Sequence, residues 1–119
     1  MFIARILFSA ILMIGALLHG YGSFLAFPDR GPALVWSLGS SAFAIFLAAI
    51  CVLCAYRTTD RALAAVCLAG CLAWVAVVIA FGLSIGNVVD PRVLYHAVTG
   101  LVLAGLALSS IVASGRVAK

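Results

Sequence analysis

Ten charged side chains divide this chain of 119 residues into four long uncharged runs, and their spacing constrains the fold more than any other feature. The uncharged runs cover residues 6–28, 31–56, 62–89 and 93–115. A helix needs about 20 apolar residues to cross roughly 30 Å of hydrocarbon. Each run is therefore long enough to cross a membrane once, and none is long enough to cross it twice.

The composition favours membrane insertion and excludes several other classes of protein. Hydrophobic residues make up 67% of the chain and charged residues 8%, and the mean hydropathy is +1.35. These values exclude soluble globular, disordered and nucleic-acid-binding proteins. The sequence predicts an all-α membrane protein, with one domain over residues 1–119. We expect its four transmembrane helices at approximately 3–27, 32–56, 60–86 and 91–113.

The connections and the basic residues predict how the chain crosses the membrane. The segments that join the four predicted helices are short, and short connections force consecutive helices to be antiparallel neighbours in an up-down-up-down bundle. One side of this bundle carries Arg5, Arg57, Arg61, Arg116 and Lys119, and the other carries Arg30 and Arg92. The positive-inside rule then places both termini in the cytoplasm. We expect an integral plasma-membrane protein, of the bacterial inner-membrane type, with no nucleic-acid partner.

Small residues predict the faces on which the helices meet, because close backbone approach stabilises helix pairs in lipid. The predicted contact residues are Ser37, Ser41, Ala44, Ala48 and Cys51 in the second helix, Ala69, Ala73, Ala76 and Ala80 in the third, and Gly100 and Ala104 in the fourth. The large side chains expected to face lipid are Phe43, Phe46, Leu47 and Ile50.

Two histidines, His19 and His96, are the polar groups in the spans that are best suited to chemistry. Each shares a helix face with small or hydroxyl residues, which favours rings that point into the bundle. The favoured interpretation is that neutral imidazoles form hydrogen bonds between helices and fix their register. A ligand or proton site is the next alternative, and its candidate residues are His19, His96, Ser23, Tyr95 and Thr99. The third is a pair of ligands for haem b or a metal ion.

Four cysteines form a second group across the turn between the second and third helices. They are Cys51, Cys54, Cys67 and Cys71, which lie roughly level in pairs, Cys54 with Cys67 and Cys51 with Cys71, on one face of each helix. Thiolates in that arrangement suit a soft metal ion. Thiolate formation in hydrocarbon is costly, however, and we expect no charged group beside the thiols to stabilise it. Packing as small apolar residues is therefore the favoured interpretation, and we expect no metal at this group.

Resemblance to known families assigns no residue role. The size and four-span layout resemble those of small multidrug resistance transporters, but the acidic residue that those proteins carry in the first helix is missing here. Arg5 and the pair His19-Gly20 are loosely similar to the opening of DoxX-like four-helix proteins, but the basic residue expected soon afterwards is absent. We carry no residue over from either family.

The sequence contains no recognisable catalytic motif, so we expect a protein that is not an enzyme and has no cofactor. The function hypothesis is an accessory or interaction subunit of a larger membrane complex, or a small homo-oligomer, that contacts membrane lipids and binds a lipid or a small apolar ligand. One alternative is a haem- or metal-binding redox protein that uses His19 and His96. The other is a small proton-linked transporter.

Overall fold

The structure, a computed structural model, is all-helical. It describes residues 1–117, with side chains described as far as Ala113, so the topology assignments of Arg116 and Lys119 lie outside the described side chains. The helices are α1 (Phe2–Ala26), α2 (Pro32–Tyr56), α3 (Arg61–Ser84) and α4 (Pro91–Val117). Each is long and apolar enough to cross a membrane.

Local sequence signals account for the helix ends. The carboxylate of Asp60 accepts a hydrogen bond from the backbone N–H of Leu63 at 2.9 Å, which caps the first turn of α3. Pro32 and Pro91 begin α2 and α4, where the missing proline N–H leaves no donor unsatisfied. α3 ends at Ser84, earlier than expected, because the chain then turns through Gly86, whose φ is +68°.

The four helices form an elongated bundle measuring 57 × 24 × 22 Å. α1 packs most extensively on α2, and α3 on α4, while α1 also contacts α4. The first turns of α1 contact the last turns of α2 and α4, through bonds from Arg5 to Cys54 and Ser110. The last turns of α1 contact the beginning of α2, where Ser23 meets Ser37.

Small residues line the contact faces of α2 and α4, as predicted, but not the contact face of α3. In α2, Ser41, Ala44, Ala48 and Cys51 are buried, and so are Gly100 and Ala104 in α4. The four alanines predicted for α3 are exposed. The buried face of α3 instead carries Ala64, Cys67, Cys71, Trp74, Val75, Val78 and Gly82. α3 is apolar all round, so composition alone does not mark the side that packs.

Leu47 was expected to face lipid, but it is a core residue. Its side chain is only 3% exposed and lies against Gly70 of α3. A Cβ built on Gly70 would lie 2.8 Å from Cδ1 of Leu47, so the absence of a side chain at this position makes room for the leucine. The contact between α2 and α3 therefore depends on a large residue that fits against a glycine.

Arg5 is the charged residue whose position differs most from expectation. We treated it as a marker of topology, but its side chain is only 4% exposed and lies between three helices. One guanidinium nitrogen, Nη1, donates to the backbone carbonyl of Cys54 at 3.2 Å. The other, Nη2, donates to the carbonyl of Leu106 and to Oγ of Ser110. Arg5 thus connects α1 to α2 and α4.

Replacing Arg5 with leucine is expected to destabilise the bundle. The substitution keeps an apolar stem but removes the bonds to α2 and α4, and interhelical bonds in membrane proteins contribute about 0.6 kcal/mol each, up to roughly 1.7. We expect a loss on the order of 2 kcal/mol, measured by thermal unfolding in detergent. Arg57→Leu removes an exposed arginine at the end of α2 and is the matched control. Equal effects of the two substitutions would contradict a structural role of Arg5.

Candidate functional site

A cavity of about 670 Å³ opens between the last turns of α1 and the first turns of α4. Its lining is mostly apolar, with a few polar side chains, which is the composition typical of a small-molecule site. The polar or titratable lining residues are His19, Ser23, Ser37, Arg92, Tyr95 and His96. Both histidines singled out in the sequence therefore line one cavity.

His19 belongs to a closed ring of hydrogen bonds with two serines. Oγ of Ser23 donates to the backbone carbonyl of His19 at 2.7 Å and lies 2.7 Å from Oγ of Ser37, which in turn lies 3.1 Å from Nε2 of His19. Each hydroxyl has one proton to donate. Because the Ser23 proton goes to the carbonyl, the Ser37 proton must go to Ser23, and Nε2 of His19 must donate to Ser37.

This proton count assigns the tautomer of His19. Nε2 carries the proton, so Nδ1 carries the lone pair. Nδ1 makes no hydrogen bond among the described residues. Nδ1 of His19 is therefore a free acceptor on a residue that lines the cavity, and Ser37 holds its ring in place.

His96 presents a second unsatisfied nitrogen. Its Nδ1 is buried and has no hydrogen-bond partner among the described residues. Edge-to-face contacts hold the ring, with centroid distances of 5.4 Å to Trp74 and 5.1 Å to Tyr95. A buried polar atom without a partner is costly in a protein interior, and more so in a membrane. This nitrogen is inaccessible to a water molecule, so a ligand would reach it only after a rotation of the ring.

Of the other predicted site residues, Ser23 and Tyr95 line the cavity and Thr99 does not. The hydroxyl of Tyr95 donates to the backbone carbonyl of Ile11 at 2.5 Å, which connects α4 to the middle of α1. Thr99 is buried, and its hydroxyl donates to the carbonyl of Tyr95 at 2.7 Å within the same helix. Thr99 therefore lies outside the cavity lining, and its hydroxyl proton is already donated within its own helix.

An ion pair lies at the mouth of the cavity. Nε and Nη2 of Arg92 donate to the two carboxylate oxygens of Asp90, both at 2.9 Å. These hydrogen bonds lower the pKa of Asp90 to about 2. The carboxylate therefore stays ionised at neutral pH, and the pair is lost only as the pH falls towards 2. Arg92 also lies over the ring of Phe81, 5.5 Å from its centroid.

The cysteines form a second cluster nearer the opposite end of the bundle. Sγ of Cys51 lies 3.1 Å from Sγ of Cys67 and 3.7 Å from Sγ of Cys71. Cys54 lies one turn after Cys51, and its Sγ is 3.5 Å from Nη1 of Arg5. The expectation that no charged group lies beside the thiols was wrong, because the bundle brings Arg5 from a distant part of the sequence into contact with Cys54.

Two residues of these sites, Ser37 and Arg5, are not among the predicted site residues. Ser37 was noted only as a small contact residue, although a hydroxyl in an apolar span is itself a signal of a hydrogen-bonding partner. Arg5 lies four residues from the chain start, so its charge could equally well have lain at the membrane surface. Only the packing of α1 against α2 and α4 shows which position it takes.

Gly15 is expected to be the glycine on which the cavity depends most. A Cβ at Gly15 would lie 2.8 Å from Cε1 of His96 and would also meet the ring of Tyr95, so Gly15→Ala must displace two cavity side chains. We expect a loss of roughly 1–3 kcal/mol in the free energy of unfolding. Gly39→Ala is the control, since no atom lies within 4 Å of a Cβ there, and it should be neutral or stabilising. Equal stability of the two variants would contradict this packing.

The site described by this geometry is thus an apolar cavity with two imidazoles, one held by serines and one unsatisfied. Comparisons with protein-family models, with curated proteins and with solved structures find no match to this chain.

Proposed function

We propose that the protein is a non-enzymatic, multi-pass membrane protein that holds a small, mostly apolar and uncharged ligand in the cavity between α1 and α4. The observation that carries this proposal is a mostly apolar cavity of about 670 Å³ that His19 and His96 both line. A ligand with an apolar body and a hydrogen-bonding head group would fill the cavity and donate a hydrogen bond to the free Nδ1 of His19. A lipid or lipid-like amphiphile has this chemistry.

The charges at the cavity support an uncharged head group. Arg92 is the cationic residue of the lining, and both carboxylate oxygens of Asp90 already pair with it. An anionic ligand would have to compete with that carboxylate, and a cationic ligand would be repelled by the guanidinium. Free Nδ1 of His19 instead accepts a hydrogen bond, which suits a hydroxyl or amide head group.

The hydrogen bond between His19 and Ser37 distinguishes this proposal from haem b binding. Ligation of iron through Nε2 requires that nitrogen to be unprotonated and free, whereas here it donates to Ser37. The ring would have to break its hydrogen bond to Ser37 before it could bind iron. An apolar ligand requires no such rearrangement. Ligand binding through the existing arrangement of side chains is therefore the simpler function for this cavity.

The proposal includes a topology for the bundle. We propose that the helices alternate up and down as antiparallel neighbours, with both termini in the cytoplasm of a bacterial inner membrane. Two contacts support the alternation, since the start of α1 bonds to the end of α2 at Cys54 and the end of α1 bonds to the start of α2 at Ser37. The excess of basic residues on one side supports the sidedness.

A protein of this kind would act through its ligand and its lipid-facing helices, as an accessory subunit of a larger membrane complex or as a small homo-oligomer. Long apolar side chains cover the outside of the bundle, including Trp36, which is 78% exposed, and Phe46, which is 70% exposed. These side chains would contact membrane lipids or a neighbouring protein.

The ligand proposal is tested by filling the cavity. No atom lies within 4 Å of a Cβ at Gly22, so Gly22→Phe places a ring in the cavity without a backbone clash. We expect lipids retained by the purified protein, measured by native mass spectrometry, to fall by about tenfold, equivalent to roughly 1.4 kcal/mol. Gly39→Phe adds the same ring outside the cavity lining and should leave them unchanged.

Two results would contradict the ligand proposal. One is equal retention of lipid by wild type, Gly22→Phe and Gly39→Phe. The other is a Soret absorption band in the purified wild-type protein that disappears in His19→Ala and His96→Ala, which would favour haem b instead.

The topology is tested separately with reporters at the two ends of the chain. Four crossings place both ends on the same side, so we expect cytoplasmic reporters fused at either end to be active and periplasmic reporters to be silent. Opposite locations for the two ends would overturn the four-crossing bundle. Periplasmic locations for both would leave the bundle intact and reverse its orientation.

A further inference from the structure

We propose that Cys51, Cys67 and Cys71 form a binding site for one soft monovalent cation, Cu(I). This site lies outside the cavity between α1 and α4, and it does not depend on the function proposed for that cavity. It is formed by one thiol from α2 and two from α3. All three side chains are buried.

The three sulfur atoms have the separations that a single ion requires. Two of the S···S distances are 3.1 and 3.7 Å, and all three sulfurs lie within 4.8 Å of one another. A point equidistant from three sulfurs with these separations lies at most about 2.4 Å from each, close to the metal–thiolate distance of about 2.3 Å. An ion can therefore bind with shifts of only a few tenths of an ångström in the side chains.

The number of ligands favours Cu(I) over Zn(II). Structural zinc takes four ligands in a tetrahedron. Here the group of mutually close sulfurs contains three members, and the fourth thiol, that of Cys54, lies outside this group and contacts Arg5. Soft thiolate ligands select Cu(I) and zinc among the biological metals, and the low coordination number distinguishes between the two.

Arg5 supplies the charge that such a site needs in hydrocarbon. A narrow crevice beside the cluster is lined by Arg5, Cys51, Cys54 and Cys67 and is too small for a water molecule. Nε of Arg5 is buried and has no hydrogen-bond partner among the residues that the structure describes. One Cu(I), two thiolates, one thiol and the guanidinium sum to zero net charge. Binding then breaks two S–H bonds, forms Cu–S bonds and releases two protons to water, without a change in oxidation state.

Packing explains the burial of the thiols, and hydrogen bonds to α2 and α4 hold Arg5 in place, but neither compensates the positive charge of Arg5. An apolar cluster gains nothing from a guanidinium, because a charge in hydrocarbon is costly unless something compensates it. No acidic residue neutralises the guanidinium of Arg5 among the described residues. Its partners are two carbonyls, a hydroxyl and a thiol. A thiolate–metal centre would supply the compensating negative charge.

The test is an anaerobic titration of the fully reduced, full-length protein with Cu(I), in competition with a chromophoric Cu(I) chelator. We expect one ion per chain. Because changes even outside the ligand sphere cost about 10–100-fold in metal affinity, Cys51→Ser, Cys67→Ser and Cys71→Ser should each weaken binding by at least about tenfold. Cys54→Ser is the matched control, one helical turn from Cys51, and should retain binding within about threefold.

Retention of wild-type Cu(I) affinity in Cys51→Ser, Cys67→Ser and Cys71→Ser would overturn the proposal. A loss of affinity confined to Cys54→Ser would also overturn it. Should the variants fail to fold, as judged by thermal unfolding without metal, X-ray absorption of the wild-type complex decides instead. Three sulfurs at about 2.3 Å from copper are expected. A shell of nitrogen or oxygen ligands, or failure of the wild type to bind Cu(I), would overturn the site.

Discussion

A guanidinium placed within apolar helices must find acceptors for its protons, and the position of Arg5 depends on that requirement. Two helix features supply the acceptors. The carbonyl of Cys54 is among the last four of α2, which have no partner within the helix. The carbonyl of Leu106 and the hydroxyl of Ser110 lie one turn apart on α4. These acceptors fix the position of α1 along its axis and its rotation about that axis, relative to α2 and α4. The depth of every other residue of α1 follows from that position.

The polar groups near the other end of α1 follow from that placement. His19 lies fourteen residues after Arg5, or about 21 Å along the helix, and so reaches the level of Ser37 at the beginning of α2. Between the two ends α1 contributes Leu12 and Ala16, both almost fully buried, to an apolar core. The bundle therefore has polar contacts near both ends and close packing between them. The cavity lies near the end where His19 and His96 replace this packing.

Charge spacing was sufficient to predict the four helices, because an ionic side chain is the group that hydrocarbon excludes most strongly. The same reasoning identified His19 and His96 as exceptional, since few other groups in the spans ionise. The pattern of small residues did not identify the packed face of α3, where the four predicted alanines, among them Ala69, are exposed. Lipid and protein interior are equally apolar, so the exposed and packed faces of α3 have similar compositions. The prediction that no charged group lies beside the thiols also failed, because the contact from Arg5 to Cys54 joins residues 49 positions apart. Periodicity reports on a single helix, whereas both failures concern how helices pair.

The contact between α1 and α4 is the part of the bundle that ligand entry would use. α1 packs less extensively on α4 than on α2, and it is connected to α4 by hydrogen bonds from Tyr95 to Ile11 and from Arg5 to Leu106 and Ser110. These bonds hold the middle and one end of the contact. The cavity lies at the other end, beyond Tyr95, where Gly15 and Gly22 leave space beside α4. Separation of α1 from α4 at that end would open the cavity to lipid while the Arg5 bonds stay in place. Because a ligand in hydrocarbon would reach this opening without crossing water, the proposed ligand site would admit an apolar ligand most readily.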